Sequence, residues 1–236
     1  YDLYLNGKRI GNRYFAPGFT SYRHWLQYQT YDVTAMLTGN NTLTAVVAGG
    51  WAVGSFVFTR INRHDGDRQA LLLELWINYA DGTEEIIGTD DTWDVTEQGN
   101  VRMADIYDGE TFDATVDLDQ AAWNRAAVET LRIMPELVAD YSAPVIAHEE
   151  FRPISHSTVD GREIYDFGQN FAGVVKLHIK NAKAGQTVTV KHAEILKPDG
   201  SLNLDFLRSA KATATYICRD GEQTYSPTLT YMGFRY

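Results

Sequence analysis

The chain has 236 residues, 44% of them hydrophobic, and a formal net charge of −10, enough to bury one large core or two ordinary ones. The negative excess lies in the first half, where residues 1–120 carry 18 acidic and 8 basic side chains while residues 121–236 carry 13 of each. Residues 81–119 set 13 carboxylates against Arg102 alone, which disfavours nucleic acid, and no run nears the roughly 20 apolar residues of a membrane span or follows a charged start as a secretory signal does.

Strand signals dominate from the first residue. "YDLYLNGKRIG" alternates around Asn6-Gly7, a dipeptide whose tolerance of positive φ predicts a two-residue hairpin turn. "LTAVVAGGW" predicts a strand that ends at Gly49-Gly50. In "ALLLELWINYADGTEEIIG", Leu71, Leu73, Leu75, Ile77 and Tyr79 form an apolar row, the opposite face is half polar, and Asp81-Gly82 predicts a second hairpin turn. Residues 117–131, "DLDQAAWNRAAVETL", are the one stretch with a helical look, and Pro135, Pro144 and Pro153 follow it. Beyond them "GVVKLHIK", "TVTVKHAEI" and "ATYICR" alternate again, separated by Ala184-Gly185, Asp199-Gly200 and Asp220-Gly221.

These signals predict an all-β chain of two antiparallel, jelly-roll-like β-sandwiches. The expected division is 1–116 for the first, 117–150 for a helical and Pro-containing linker, and 151–236 for the second, which is expected to be incomplete at its C-terminal end. A single cysteine, Cys218, rules out an internal disulfide and a Cys-based zinc site, and its place in "ATYIC" predicts a small buried apolar side chain.

Several phrases together resemble one family. "YDLYLNGKRIG", "APGFTSYRHWLQYQTYDVT" and "DIYDGETFDA" resemble the N-terminal domain of bacterial α-L-rhamnosidases, and "YDFGQNFAGVVKLHI", "VKHAEIL", "DGSLN", "LRSAKATATYI" and "YMGFRY" resemble the β-sandwich that follows it. The resemblance implies a glycoside hydrolase acting on rhamnose-containing glycosides with inversion, in which the bond-breaking carboxylates belong to an (α/α)₆ barrel expected beyond Tyr236. It implies that this portion, catalytically incomplete, partners the barrel of its own polypeptide, in a bacterial protein either cytoplasmic or secreted. Strand edges left exposed would also suit homodimer formation.

The acidic phrase "DIYDGETFDA", residues 105–114, admits three readings: a hydrolase pair such as Glu110 with Asp105, a Ca²⁺ cage of Asp105, Asp108, Glu110 and Asp113, or a structural turn whose carboxylates cap backbone N–H groups while Tyr107 and Phe112 enter the core. Some rhamnosidase N-terminal domains resemble modules that hold rhamnose through calcium, which makes a stand-alone Ca²⁺-dependent lectin-like module the alternative to a supporting domain. "AGGWAVGSF" offers Trp51 as a platform for the apolar face of a deoxy sugar. If the two loops meet, Trp51, Asp105, Asp108 and Glu110 make one carbohydrate site. "NRHDGDRQA", residues 62–70, is either a solvated loop or a source of contacts to sugar hydroxyls, and Asp166, Gln169 and Asn170 of "DFGQN" suit a tight bend around Gly168. His178, His192 and Glu194 could form a metal site only if neighbouring strands bring them together. His24, His64, His148 and His156 are expected exposed, and Trp25, Trp76, Trp93 and Trp123 to sit in the core or at interfaces.

Overall fold

A computed structural model describes residues 1–55, 61–130 and 134–236. Nineteen strands are present among them. The first half contributes β1 (Asp2–Leu5), β2 (Lys8–Arg9), β3 (Trp25–Tyr28), β4 (Leu43–Val46), β5 (Glu74–Asn78), β6 (Glu84–Gly88), β7 (Asp94–Val95), β8 (Val101–Asp105) and β9 (Gly109–Asp113). Two short strands follow, β10 (Asn124–Arg125) and β11 (Glu136–Ala139). The second half adds β12 (Ser155–Val159), β13 (Arg162–Asp166), β14 (Phe171–Gly173), β15 (Leu177–Ala182), β16 (Thr187–Lys191), β17 (Thr213–Ile217), β18 (Gly221–Tyr225) and β19 (Met232–Phe234). The expected all-β sandwich class is what the chain adopts, and among the described residues no helix is long and apolar enough to cross a membrane.

Local turn chemistry explains the hairpins. Asn6 and Gly7 take φ of 54° and 75° and fold β2 back on β1, with Leu5 opposite Lys8, as a primed turn requires. β5 and β6 pair antiparallel around Asp81-Gly82, with Leu75 opposite Ile87 and Trp76 opposite Ile86. The row Leu71, Leu73, Leu75 and Ile77 is half-buried and the alternate face is exposed.

Long-range pairing then overrides simple antiparallel order. β11 runs parallel to β3, Glu136 opposite Trp25, and β9 runs parallel to β17, Gly109 opposite Thr213. The second pairing completes a four-stranded sheet, β16-β17-β9-β8, that draws strands from both sides of residues 117–150. Opposite its apolar face lies the β15–β18 pair, and between the two layers Ala182, Ala214, Tyr216, Cys218 and Tyr225 form a buried cluster, with Phe112, Leu177 and Val190 packed on it. Cys218 is fully buried, and burial raises its thiol pKa.

The expected helix over 117–131 is corrected. Within described residues 117–130 one short 3₁₀ turn, Leu118–Gln120, is capped by the Asp117 side chain accepting from the Asp119 N–H. The backbone then leaves helical geometry because partners elsewhere claim its donors: the Ala122 N–H donates to Gln98 Oε1, β10 pairs with β7, and the Ala126 N–H donates to the Trp93 carbonyl. Helix propensity of a few tenths of a kcal/mol per residue yields to such tertiary bonds. Of the tryptophans expected in the core or at interfaces, Trp76 and Trp123 lie outside the core, exposed at 61% and 46%.

Candidate functional site

The acidic phrase forms the end of the β8–β9 hairpin, and it sits at the seam between the two halves. Gly109 takes φ +105°, and a Cβ there would collide with the Thr213 carbonyl oxygen, so only glycine lets β9 lie this close to β17. That contact aims the neighbouring carboxylates inward. Asp105, Asp108 and Glu110 are all buried, and Glu110 is 2% exposed.

Each buried carboxylate is met by donors of the fold itself. Asp105 Oδ1 accepts from the Tyr107 and Asp108 N–H groups at 2.9 and 2.5 Å and its Oδ2 from the Ser55 N–H at 2.9 Å. Asp108 Oδ2 accepts from Ser55 Oγ at 3.2 Å and pairs with Lys211 Nζ at 3.3 Å. Glu110 Oε1 accepts from the Tyr225 hydroxyl at 3.0 Å and its Oε2 from the Leu229 N–H at 3.2 Å. Burial pushes the Glu110 carboxyl up to about 7, opposed by its bonds to Leu229, Tyr225 and Thr228 and helped by the nearby Asp2 charge. Asp2, itself buried, is held by Arg9 and the Thr228 hydroxyl.

Asp113 does not join them. Three residues on from Glu110 along the strand, it faces the other way and lies about 10 Å farther along, where its Oδ1 accepts from the Thr115 N–H and hydroxyl at 2.9 and 2.6 Å. No group of three or more His, Cys, Asp or Glu among the described residues is arranged to hold a metal, and a Ca²⁺ cage of 6–8 outward oxygens does not fit carboxylates already engaged by N–H and O–H donors. His178 and His192 likewise stay apart. His178 Nδ1 meets Thr224 Oγ1 at 3.0 Å, whereas His192 is buried with Nδ1 2.7 Å from the Ala212 carbonyl and its ring against Phe234.

The "AGGWAVGSF" loop does meet the hairpin. The Gly50 N–H donates to the Ala104 carbonyl, Ser55 engages Asp105 and Asp108, and a Cβ at Gly54 would strike the Asp105 side chain, so this glycine permits the close approach. Residues 56–60, including the end of that phrase, lie outside the described residues. The loop presents Trp51 to an aromatic cluster rather than to the carboxylates. Phe15 stands edge-on to Trp51 at 5.6 Å and to Tyr231 at 5.9 Å, and Phe19 tilts over Trp51 at 5.3 Å. The site thus separates into a polar, buried seam and an aromatic surface beside it. Sequence reasoning missed Ser55, Tyr225, Lys211 and Phe19. The first three belong to the seam only through contacts 50 or more residues away, while Phe19 carried a local signal in "APGFTSY", an aromatic beside Pro and Gly in a loop.

"DFGQN" makes the expected bend through Asp166, while Gln169 and Asn170 are exposed. Asp166 Oδ1 accepts from the Gly168 N–H at 2.7 Å, and both its oxygens accept from Arg235 at 2.8 Å, which ties the bend to the closing "GFRY" phrase. The Arg235 and Gly168 hydrogen bonds hold the Asp166 carboxyl below its ordinary range.

Residues 1–158 match the family model described as the α-L-rhamnosidase N-terminal domain, and residues 156–236 match that of the bacterial α-L-rhamnosidase concanavalin-like domain. An α-L-rhamnosidase of Streptomyces avermitilis is 39% identical across the whole chain, which covers 24% of that protein. One from Formosa agariphila is 32% identical, again across the whole chain and 26% of the relative. The crystal structure of the Streptomyces avermitilis enzyme complexed with L-rhamnose superposes with a TM-score of 0.89 at 38% identity, covering 99% of this chain and 24% of that one. The α-L-rhamnosidase from Dictyoglumus thermophilum superposes with a TM-score of 0.85 at 28% identity, covering 99% and 27%. The chain therefore spans about a quarter of the length of the relatives it matches. With both of its halves matched in order by successive domains of these enzymes, the chain belongs to the bacterial α-L-rhamnosidase family.

Proposed function

We propose that this chain is the non-catalytic, N-terminal portion of an α-L-rhamnosidase, the whole enzyme hydrolysing terminal α-L-rhamnose from glycosides by single displacement with inversion. Its part is to support the barrel that carries the reacting carboxylates and to hold rhamnose near it. One observation carries the reading: the carboxylates best placed by sequence to act, Asp105 and Glu110, face protein donors in a closed seam. Inverting hydrolysis needs an acid and a base on opposite faces of the sugar, about 6.5–9.5 Å apart with room for water. Glu110, buried and bonded to Tyr225 and Leu229, is closed to that water and to a sugar, and its raised pKa follows from burial in the seam.

The seam supports the structural half of the proposal as well. It joins β9 of the first half to β17 and to Leu229 and Thr230 in the segment between β18 and β19. Assay of this polypeptide on an aryl α-L-rhamnoside is expected to give no turnover above background. Turnover comparable to a complete enzyme would overturn the reading, and loss of that turnover in Glu110→Gln would assign it to the seam.

A further inference from the structure

We propose that Lys191, Arg208 and Lys211 form a binding site for a phosphate group, free or as a monoester, in a surface pocket of the second half. The site does not rest on the rhamnosidase reading and stands on geometry and charge. The pocket holds about 450 Å³ where the end of β16, the start of β17 and the 204–211 loop meet, and Leu204 and Leu207 line it beside the three cations. Among the described residues no carboxylate lines it. That is unusual company for three positive groups in residues 121–236, where acids and bases balance at 13 each.

The backbone brings the cations together. Lys191 closes β16 and stands opposite Thr213 in the register with β17, which sets it beside the residues that lead into β17. Lys211 is fixed from the seam, its N–H donating to the Tyr107 carbonyl at 3.0 Å and its Nζ to Asp108 Oδ2 at 3.3 Å. Arg208 arrives by a tight turn. The Ala210 N–H donates to the Leu207 carbonyl at 2.9 Å, and Arg208, at φ 54° and ψ −107°, takes the first central position of a type II′ turn, where glycine dominates. An arginine there bears backbone strain that glycine would avoid, as residues at ligand clamps often do. The side chain that this strained position delivers to the pocket is a guanidinium.

Phosphate is the group that the cluster matches. It carries nearly two negative charges at neutral pH and presents several strong acceptor oxygens, whereas a carboxylate offers one charge and two oxygens to three cations. A guanidinium binds phosphate oxygens through its planar fork, and lysines serve as point charges around them. Asp205, the nearby acid of the same loop, pairs with Lys197 at 3.9 Å and is not part of the lining. The apolar wall of Leu204 and Leu207 lowers the local dielectric and strengthens the attraction.

The test is calorimetric titration of this 236-residue chain with inorganic phosphate and with glucose 6-phosphate at low ionic strength. Saturable binding that weakens as NaCl is added is expected, and the tighter of the two probes assigns the source as the free ion or the ester. Lys191→Gln should weaken binding about tenfold, the loss of one charge-assisted contact. Arg208→Gly should weaken it by a similar factor while the melting temperature holds or rises, because glycine accepts the turn conformation. Should that variant disturb the loop, Lys191→Gln, exposed at a strand end, decides alone. Lys183→Gln removes the same charge beyond the other end of β16 and should leave the affinity unchanged. Absence of saturable binding, or an equal loss in Lys183→Gln, would overturn the site, and either result would leave the rhamnosidase reading standing.

Discussion

Two acid-rich hairpins, β5–β6 and β8–β9, use the same turn chemistry in opposite surroundings. In the first, Asp81 Oδ1 accepts from the Thr83 N–H and hydroxyl at 2.9 and 2.7 Å, Glu74 accepts from Trp76 Nε1, and Glu85 accepts from the Tyr79 hydroxyl, all at the surface. In the second, Asp105 and Glu110 make equivalent bonds in the interior. The contrast extends to acidity: hydrogen bonds from Thr83 lower the Asp81 pKa, whereas burial raises that of Glu110. Water can replace any lost partner in the first hairpin. In the second nothing can, so each donor there is obligatory.

The largest expected effect separates the two turn glycines. Gly82, at φ +86°, has open space where a Cβ would go, while the same atom at Gly109 would enter the Thr213 backbone. Gly82→Ala should cost about 1 kcal/mol for the left-handed backbone alone. Gly109→Ala adds the separation of β9 from β17 and should cost about 3–5 kcal/mol, combining strain with overpacking. Urea unfolding of both variants measures this, and equal costs would mean that the seam yields as readily as the surface turn.

Next in size is pH. The Glu110 carboxyl titrates at about 7 in the folded chain against 4.5 in its absence, so the folded state prefers it protonated. Its contribution to stability is therefore complete below pH 4.5 and is lost as pH rises through about 7, a decline of about 3 kcal/mol at about 1.4 kcal/mol per pH unit. Surface carboxylates such as Asp81, with lowered pKa, act in the reverse sense and lose stability as pH falls. Glu110→Gln should flatten the decline between pH 5 and 8 in thermal melts. A decline that persists in the variant would place its origin elsewhere.

What could be read from sequence follows the range of the interaction. The turns at Asn6-Gly7, Asp81-Gly82 and Asp166–Gly168 were legible because the residues that require them are the residues that make them. Cys218 was legible from alternation alone. The fate of the acidic phrase was not, since its carboxylates look like surface groups until Tyr225 and Leu229, more than 100 residues away, arrive to bond Glu110. For the same reason residues 117–130 read as helix: their strand partners at Asp94–Val95 lie on another part of the chain. Trp51 stood out in sequence only as an indole among glycines, and its neighbours Phe15 and Phe19, with Tyr231 beyond Phe15, come from segments that only the fold assembles.

The smallest expected effect isolates one hydroxyl in each hairpin. Tyr225 and Tyr79 both donate to a glutamate, at 3.0 and 2.5 Å, and each becomes Phe with the loss of one oxygen. Tyr79→Phe exposes Glu85 to water that already surrounds it, so stability should move by no more than about 0.5 kcal/mol. Tyr225→Phe strips a buried carboxylate of a donor, and should cost about 1–2 kcal/mol at pH 8, where Glu110 is ionised. At pH 5, with Glu110 protonated, the cost should shrink, because a neutral acid needs its donors less than a carboxylate does. The midpoint of the pH decline should also move upward in Tyr225→Phe, since this hydroxyl is one of the groups that hold the Glu110 pKa down. A pH-independent cost would show that Tyr225 matters to the seam through its ring, packed on Tyr216 at 4.6 Å, and that its bond to Glu110 adds no more there than its counterpart adds at the surface.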